Sequence, residues 1–352
     1  MRPLIATIPV FAALVAASLV QGPGAADACA GLIGSNGAVN LGRTTTLAAY
    51  HDGVEHYVTA FQFQGGGGQF GTLIPLPGVP SKVERGGDWT LQRLARETEP
   101  VRLFEAQAFD NAAAGAVVLQ EVRIDALDIT VLEGGGPDVA TWATDHGFRL
   151  SPDAPEVLDF YARRSPIFLA AVFDGEAAAA RGQLIGDGTP VHITIPTSNP
   201  WVPLRILGLG KQPADRVDAD VFLLTDREPA LLPAPAAGLT LAHNQPATKA
   251  LLDDLRADAG MSWVPQSAWL TKLQVDSAAG DLRFDLAVDT SGADSPSRVA
   301  AGLELPSVAA IAGNGSTPSF VWVAVAATIA VLITLLVVLR LQTRGGRQWP
   351  GA

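Results

Sequence analysis

The chain has 352 residues, 48% of them hydrophobic and 17% charged, and its formal net charge is −11. This composition is too apolar for a disordered protein, and the length suffices to bury a sizeable core. The single cysteine, Cys29, excludes an intrachain disulfide and a zinc site built from thiolates.

The N-terminus has the pattern of a secretory signal peptide. Arg2 precedes an apolar run over residues 4–20, a Gly-Pro-Gly break follows, and residues 26–28 read Ala-Asp-Ala, the small-x-small pattern of a cleavage site. We therefore predict a signal peptide over residues 1–28. Two alternatives stay open, an uncleaved N-terminal anchor and lipidation of Cys29, although an acidic residue fits poorly in a lipidation signal.

The region from Cys29 to Ser319 is acidic. It contains 20 Lys and Arg residues and 34 Asp and Glu residues, which gives a net charge of −14. Such a surface repels nucleic acid and anionic lipid headgroups, so we expect no nucleic-acid partner. The charged residues outside this region are Arg2, Asp27, Arg340, Arg344 and Arg347.

The clearest local pattern is a β-hairpin near the start of this acidic region. Residues 44–50 and 54–64 are rich in β-branched and aromatic side chains. They flank Asp52-Gly53, a dipeptide suited to the positive φ angles of a type I′ turn. The pattern predicts two antiparallel strands joined by a two-residue turn.

This hairpin carries the candidate metal ligands. A two-residue turn at Asp52-Gly53 pairs the strands so that His51 and His56 lie on one face. Two imidazoles suit zinc or another borderline cation, with a third ligand such as His146 or His192. The alternative is a solvated hairpin tip whose polar residues favour turns.

The rest of the acidic region predicts more strands than helices, without regular helical crossovers. This favours an α+β fold with a mixed or largely antiparallel sheet and a few short helices. A Pro/Ala-rich stretch over residues 229–238 is either an interdomain linker or a surface loop. Predicted strands cover residues 71–76, 117–132, 167–173, 191–195, 201–207, 219–224 and 282–288. Predicted helices cover residues 89–95 after Asp88 as N-cap, 137–145, 154–164 and 247–257.

Near the C-terminus, residues 320–339 form an uncharged apolar stretch of 20 residues. A helix of that length spans about 30 Å, the hydrocarbon thickness of a bilayer. Arg340, Arg344 and Arg347 follow without an acidic residue, which predicts a cytoplasmic C-terminus by the positive-inside rule. A buried core helix is disfavoured because the stretch has no polar face.

These patterns predict a single-pass protein of the cell membrane with its N-terminus outside, in contact with the lipid bilayer through one transmembrane helix. The predicted organisation is a signal peptide over residues 1–28, an extracytoplasmic ectodomain over 29–312, a linker over 313–319, the transmembrane helix over 320–339 and a basic cytoplasmic tail over 340–352.

Four segments carry a resemblance to a known family. They are TTTLAAYHDG at residues 44–53, GDWTLQRL at 87–94, PWVPLR at 200–205 and VFLLTD at 221–226. With these segments the chain resembles the bacterial domain-of-unknown-function family 2330 (DUF2330), over most of the ectodomain. The resemblance implies an exported protein with a signal peptide, a cysteine shortly after it and a C-terminal membrane segment. It implies no catalytic residue.

Two further groups of side chains suggest ligands. Trp201, Trp263 and Trp269 suit an aromatic platform for sugars or Pro-rich peptides, although such residues more often belong to the core. Four acidic residues suit calcium, but their spacing matches no calcium loop, which favours a solvated acidic face. These acidic residues are Asp281, Asp285, Asp289 and Asp294.

The sequence lacks the common catalytic signatures, such as Gly-x-Ser-x-Gly, His-Glu-x-x-His, Ser-x-x-Lys and the phosphate-binding loop. We therefore predict a binding or structural module of the cell envelope that contacts an envelope polymer or a protein partner, with no cofactor and without enzymatic activity. The alternative is a membrane-tethered hydrolase or metal-dependent enzyme that uses His51 and His56 with zinc or calcium.

Overall fold

The structure is a computed structural model that describes residues 26–27, 31–34, 43–61, 70–98, 117–173 and 189–306. Most of the predicted signal peptide, the linker, residues 320–339 and the basic tail lie outside the described residues. Within the described ranges, every helix is too short or too polar to cross a bilayer.

The described elements alternate irregularly along the chain, with many strands and a few short helices. The strands are β1 (Ala26–Asp27), β2 (Gly31–Gly34), β3 (Arg43–His51), β4 (Val54–Phe61), β5 (Phe70–Leu76), β6 (Lys82–Arg85), β7 (Val117–Ile124), β8 (Leu127–Glu133), β9 (Ile167–Phe173), β10 (Thr189–Pro196), β11 (Trp201–Val202), β12 (Arg216–Thr225), β13 (Ala230–Leu232), β14 (Leu239–Pro246), β15 (Trp269–Ala278) and β16 (Leu286–Asp289). The helices are α1 (Thr90–Thr98), α2 (Gly136–Asp145), α3 (Ala154–Ala162) and α4 (Lys249–Ala257).

The strands form three sheets. The largest has eight strands in the order β14-β15-β12-β3-β4-β10-β6, with β1 paired to β3 beside this path. A five-stranded sheet follows the order β2-β5-β9-β8-β7, and a small sheet the order β11-β16-β13. Strand β3 runs parallel to β1 and β12, and the other pairs are antiparallel. The predicted β-rich α+β class with a mixed sheet is therefore confirmed for this part of the chain.

The eight-stranded and five-stranded sheets pack face to face around the largest core. This core joins Tyr57 and Ile193 of the first sheet to Ile129 and Leu169 of the second. Since side chains alternate across a strand, each sheet has a second face that needs its own cover. Helices provide both covers, which gives four layers in the order helix, sheet, sheet, helix.

Helices α1 and α4 cover the outer face of the eight-stranded sheet. Their apolar faces contribute Leu91 and Leu94 from α1 and Leu251 and Leu255 from α4 to one core cluster. Helices α2 and α3 cover the five-stranded sheet through a separate cluster that includes Trp142. The outer face covered by α1 and α4 is called the helical face below.

The hairpin prediction is confirmed, whereas several other boundaries differ. Asp52 and Gly53 have φ angles of 49° and 77°, as a type I′ turn requires. Residues 117–132, predicted as one strand, form the hairpin β7–β8, because the chain turns at Asp125, where φ is 54°. Strand β15 was not predicted, although it lies between β12 and β14.

Two predicted strands are shorter than expected. Of residues 201–207, only β11 is extended, and a 3₁₀ turn follows over Arg205–Gly208. Of residues 282–288, only the part within β16 is extended. The stretch 229–238 is not an interdomain linker, since β13 within it pairs with β16 and the described residues up to Leu305 form one compact unit.

Candidate functional site

Strands β4 and β10 bring two histidines together on the helical face. The two strands are antiparallel with Thr194 opposite His56, so His192 is the diagonal neighbour of His56. In β10 the apolar residues Val191, Ile193 and Ile195 face the core between the sheets, which directs the intervening His192 to the helical face. His56 and His192 are called the histidine pair below.

The histidine pair lies edge to edge. The Nδ1 atom of His56 is 2.9 Å from the Nε2 atom of His192, while the ring centroids are 5.1 Å apart and the planes differ by 22°. Stacked rings keep their atoms about 3.5 Å apart. The two facing nitrogens therefore lie between the rings, close to a common plane.

Trp263 covers one face of both imidazoles. Its ring centroid is 4.0 Å from that of His56 and 5.0 Å from that of His192, with interplanar angles of 5° and 23°. The loop that carries Trp263 follows α4, and the Arg256 guanidinium fixes it by donating to the backbone oxygen of Pro265 at 2.6 Å. The aromatic cover shields the histidine pair from water.

A carboxylate lies at the far end of the histidine pair. The Oε1 atom of Glu84, in β6, is 3.4 Å from the Nδ1 atom of His192, and its Oε2 atom is 2.7 Å from the Lys82 ammonium. The order of groups is therefore Lys82, Glu84, His192 and His56, running from the sheet edge inward.

Burial keeps both imidazoles neutral at pH 7. Burial, with smaller contributions from the nearby His192 and His51, lowers the pKa of His56 to about 4. Burial also lowers the pKa of His192 to about 4, although the Glu84 carboxylate opposes that shift. Neutral imidazoles have a free lone pair, which can accept a proton or bind a metal ion.

The predicted metal ligands divide between different partners. The register confirms that His51 and His56 project from one face of the hairpin. However, the Nδ1 atom of His51 is 2.5 Å from Asp226 Oδ1 and its Nε2 atom is 3.2 Å from Asp52 Oδ2, whereas His56 contacts His192. Within the described ranges, no three His, Cys, Asp or Glu side chains form a metal-binding group. A metal site that includes His51 and His56 stays a prediction.

Of the two candidate third ligands, the structure brings only His192 to His56. His146 ends α2 in the layer on the five-stranded sheet, where its ring stacks on Trp142 at 3.8 Å and its Nδ1 atom is 2.6 Å from the Trp142 backbone oxygen. Its buried position is that of a core histidine.

The opposite face of β4 holds a buried carboxyl group that the sequence analysis missed. Glu55 is 1% exposed, and neither of its oxygens has a hydrogen-bond partner among the described residues. Burial raises the pKa of Glu55 to about 8. Beside it, a cavity lined by Tyr50, Trp201 and Thr225 leaves about 10 Å³ for the centre of a water molecule, enough for one water.

Two of the acidic residues proposed for calcium, Asp285 and Asp289, belong to separate hydrogen-bond networks. Asp285 is completely buried and accepts hydrogen bonds from the Tyr161 hydroxyl at 2.8 Å and from the backbone N–H groups of Leu204 and Arg205 at 2.7 and 3.0 Å. It also pairs with the Arg164 guanidinium. The prediction of a solvated acidic face is therefore wrong for Asp285, whose contacts organise the core.

Asp289 has a separate, local role. It accepts hydrogen bonds from the backbone N–H groups of Ser291 at 2.8 Å and Ser295 at 2.9 Å, within its own loop. Calcium binding by this group of residues stays a prediction.

The three tryptophans proposed as an aromatic platform lie in different surroundings. Trp201 is 3% exposed and belongs to the core cluster under α2 and α3, as the core interpretation predicts. Trp263 packs beside the cluster under α1 and α4. Trp269 donates its indole N–H to the Asn244 side chain at 2.6 Å. The three side chains therefore assemble no common platform, and sugar or peptide binding by them stays a prediction.

The histidine pair has a weak signal in the sequence. The alternation Val191-His192-Ile193-Thr194-Ile195 indicates that His192 and Thr194 share the face opposite to the apolar residues. It does not indicate that His56, 136 residues earlier, lies beside His192, because strand pairing is a tertiary property. Glu84 and Glu55 have no distinguishing pattern.

Comparisons with known proteins give a family but no function. A family model described as "Uncharacterized protein conserved in bacteria (DUF2330)" matches residues 23–278. No curated protein matches the chain.

Among solved structures, the chain is similar to the crystal structure of baculovirus P35, with 11% identity, 70% of this chain and 96% of that chain covered, and a TM-score of 0.38. A mutated baculovirus P35 after caspase cleavage, at 2.7 Å resolution, gives 9% identity, 70% and 99% coverage, and a TM-score of 0.37. The caspase-8/P35 complex gives 8% identity, 70% and 96% coverage, and 0.35. Likeness at this level says nothing about the function of this chain.

Proposed function

The chain belongs to DUF2330, a family of uncharacterized proteins conserved in bacteria, and we propose that it is an extracytoplasmic binding or structural module tethered to the cell membrane. In this proposal the β-rich ectodomain, residues 29–312, lies outside the cytoplasm and contacts an envelope polymer or a protein partner. It is called the body below. Residues 320–339 hold it to the bilayer, and the basic tail after them lies in the cytoplasm.

One sequence observation is the main support for the proposed membrane location. Residues 320–339 contain no charge over 20 positions, and Arg340, Arg344 and Arg347 follow with no acidic residue. Burying that many apolar side chains in lipid is favourable, while the arginines resist translocation. At the N-terminus, Arg2, the apolar run after it and the Ala-Asp-Ala tripeptide form the pattern of a signal peptide. This pattern supports export of the segment between residue 28 and residue 320.

The body suits binding or structural work. Within the described residues, two large sheets and four helices bury three apolar clusters, and the single cysteine allows no intrachain disulfide, so this packing provides a stable scaffold. The acidic surface disfavours nucleic acid and anionic headgroups and favours neutral polymers or basic protein surfaces.

Protease accessibility tests the proposed location. We expect protease added to spheroplasts to digest the body and leave a membrane-embedded fragment that contains residues 320–339. The matched control deletes residues 320–352, and this variant should be released in soluble form. A body that resists protease in intact spheroplasts and fractionates with cytosol would refute the proposal.

A second candidate function is metal binding at the hairpin histidines, with a metal-dependent enzyme as its catalytic form. The observation that favours it is the 2.9 Å approach of His192 to His56. Metal analysis of the purified full-length protein tests this candidate. We expect bound metal that is lost in the His51→Ala, His56→Ala double variant, and a metal-free protein of unchanged stability would discard the candidate.

A further inference from the structure

We propose that the histidine pair binds one monovalent copper ion between the Nδ1 atom of His56 and the Nε2 atom of His192. This inference rests on the metal-binding candidate function and names its ligands and its ion. It replaces His51 by His192 as the second ligand, and it does not depend on the membrane tether.

The facing nitrogens define the geometry of the site. They lie between two nearly coplanar rings, 2.9 Å apart, so their lone-pair directions oppose each other. A metal–imidazole bond is about 2.0 Å long, so an ion on the line between the nitrogens needs them about 4 Å apart. His192 is 1% exposed, whereas His56 is only partly buried, so the required outward movement of about 1 Å falls to the His56 ring.

Glu84 prepares His192 as a ligand. Its carboxylate near the Nδ1 atom of His192 favours a proton on that nitrogen, which leaves the lone pair on Nε2, toward His56. Outer-shell carboxylates commonly face the second ring nitrogen of a metal-bound imidazole, and Glu84 lies 3.4 Å from that nitrogen of His192.

The protons balance without a change in net protonation. In the metal-free pair, Nε2 of His192 accepts, so Nδ1 of His56 carries the proton of that neutral imidazole. On binding, this proton moves to the Nε2 atom of His56 through solvent, and Nδ1 becomes the second ligand. Both imidazoles are neutral before and after.

The opposed nitrogens of His56 and His192 favour an ion that accepts two ligands in a linear arrangement. Two ligands on one line suit monovalent copper, a filled-shell ion that accepts linear coordination by two imidazoles. Zinc instead takes four ligands in a tetrahedron. Trp263 adds to the preference for a cation of low charge in a dry site, because its indole face lies over both rings and attracts cations.

Metal titration of the full-length protein in detergent tests the inference. Monovalent copper is supplied anaerobically with ascorbate against a competing chelator, and zinc is supplied alone in a parallel titration. We expect one equivalent of copper, bound more tightly than zinc. Binding should be lost in His56→Ala and in His192→Ala, and Glu84→Gln should weaken it about 10–100-fold.

Two controls separate the ligands from structural effects. His51→Ala alters the same hairpin face and should bind copper as the unaltered protein does. Trp263→Phe should still bind one equivalent but lose most of the copper-dependent quenching of indole fluorescence. Circular dichroism of each variant shows whether it is folded, and a folded His192→Ala protein that still binds copper overturns the proposal.

The remaining outcomes distinguish this inference from the function on which it rests. If zinc binds more tightly than copper and requires both His51 and His56, the metal-binding candidate survives and the copper inference fails. If neither ion binds the folded protein, both fail. Neither outcome affects the proposed membrane location, which protease accessibility decides.

Discussion

Glu55 and His56 are neighbours in β4 but face opposite layers, and burial shifts the pKa values of their side chains in opposite directions. Glu55 points into the core between the two sheets and has no hydrogen-bond partner among the described residues, while His56 lies on the helical face beside His192 and Trp263. Burial raises the pKa of Glu55 to about 8 and lowers that of His56 to about 4. Both side chains are therefore neutral at pH 7.

The cause is the same on both faces. Burial disfavours the charged form, which is the deprotonated form of a carboxyl group and the protonated form of an imidazole. The consequences for stability are opposite, because Glu55 holds its proton more tightly in the folded protein and the histidine pair holds protons less tightly. The free energy of unfolding should therefore depend on Glu55 at alkaline pH and on the histidine pair at acidic pH.

The largest expected effect comes from Glu55. The stability that its protonated form contributes is complete below pH 4.5, its ordinary pKa, and is lost as the pH rises through about 8. This loss amounts to about 4 kcal/mol of unfolding free energy. Glu55→Gln cannot ionise and should lack the loss, as urea unfolding between pH 5 and 8.5 would measure. Identical pH profiles for the two proteins would show that Glu55 is not buried in this way.

A smaller effect of opposite sign is expected from His192. Its pKa is lowered, so the stability of the neutral ring is complete above pH 6.5 and is lost as the pH falls through about 4. His192→Gln should remove about 3 kcal/mol of this acid-side loss. Thermal unfolding between pH 4 and 7 measures it, with His243→Gln on β14 as the control. An unchanged acid-side slope in His192→Gln would contradict the buried, neutral histidine pair.

The smallest effect is expected from His51, the other histidine of the same hairpin face. Its contact with Asp226 is exposed, and exposed ion pairs contribute little. His51→Ala should change the unfolding free energy by less than about 1 kcal/mol at pH 7. Urea unfolding checks this, and a larger loss would mean that the hairpin tip is part of the folded core.

The hairpin and several elements follow from the sequence because they depend on local patterns. Asp52-Gly53 adopts the positive φ angles that a type I′ turn needs, whatever surrounds it. Helix α4 is predicted closely because Leu251, Leu252 and Leu255 recur at helical spacing, and all three are buried.

Predictions of features that depend on long-range contacts were less accurate, because such contacts leave no local pattern in the sequence. The sequence offers Asp88 as the cap of α1, but the carboxylate at that helix start belongs to Asp258, which accepts from the N–H groups of Asp88 and Trp89 and from the Thr90 hydroxyl. Asp88 pairs instead with Arg85. A residue 170 positions away competes for the helix end, and no local pattern reveals it.

By itself, the sequence determined the alternation of side chains along β4 and β10 and the turn between β3 and β4, since backbone geometry fixes both. Only the tertiary structure decided that His56 meets His192 and not His51, and that Glu55 lies in an apolar core without a hydrogen-bond partner among the described residues. The reason is that burial and strand pairing depend on which layers pack together, and those layers come from distant parts of the chain.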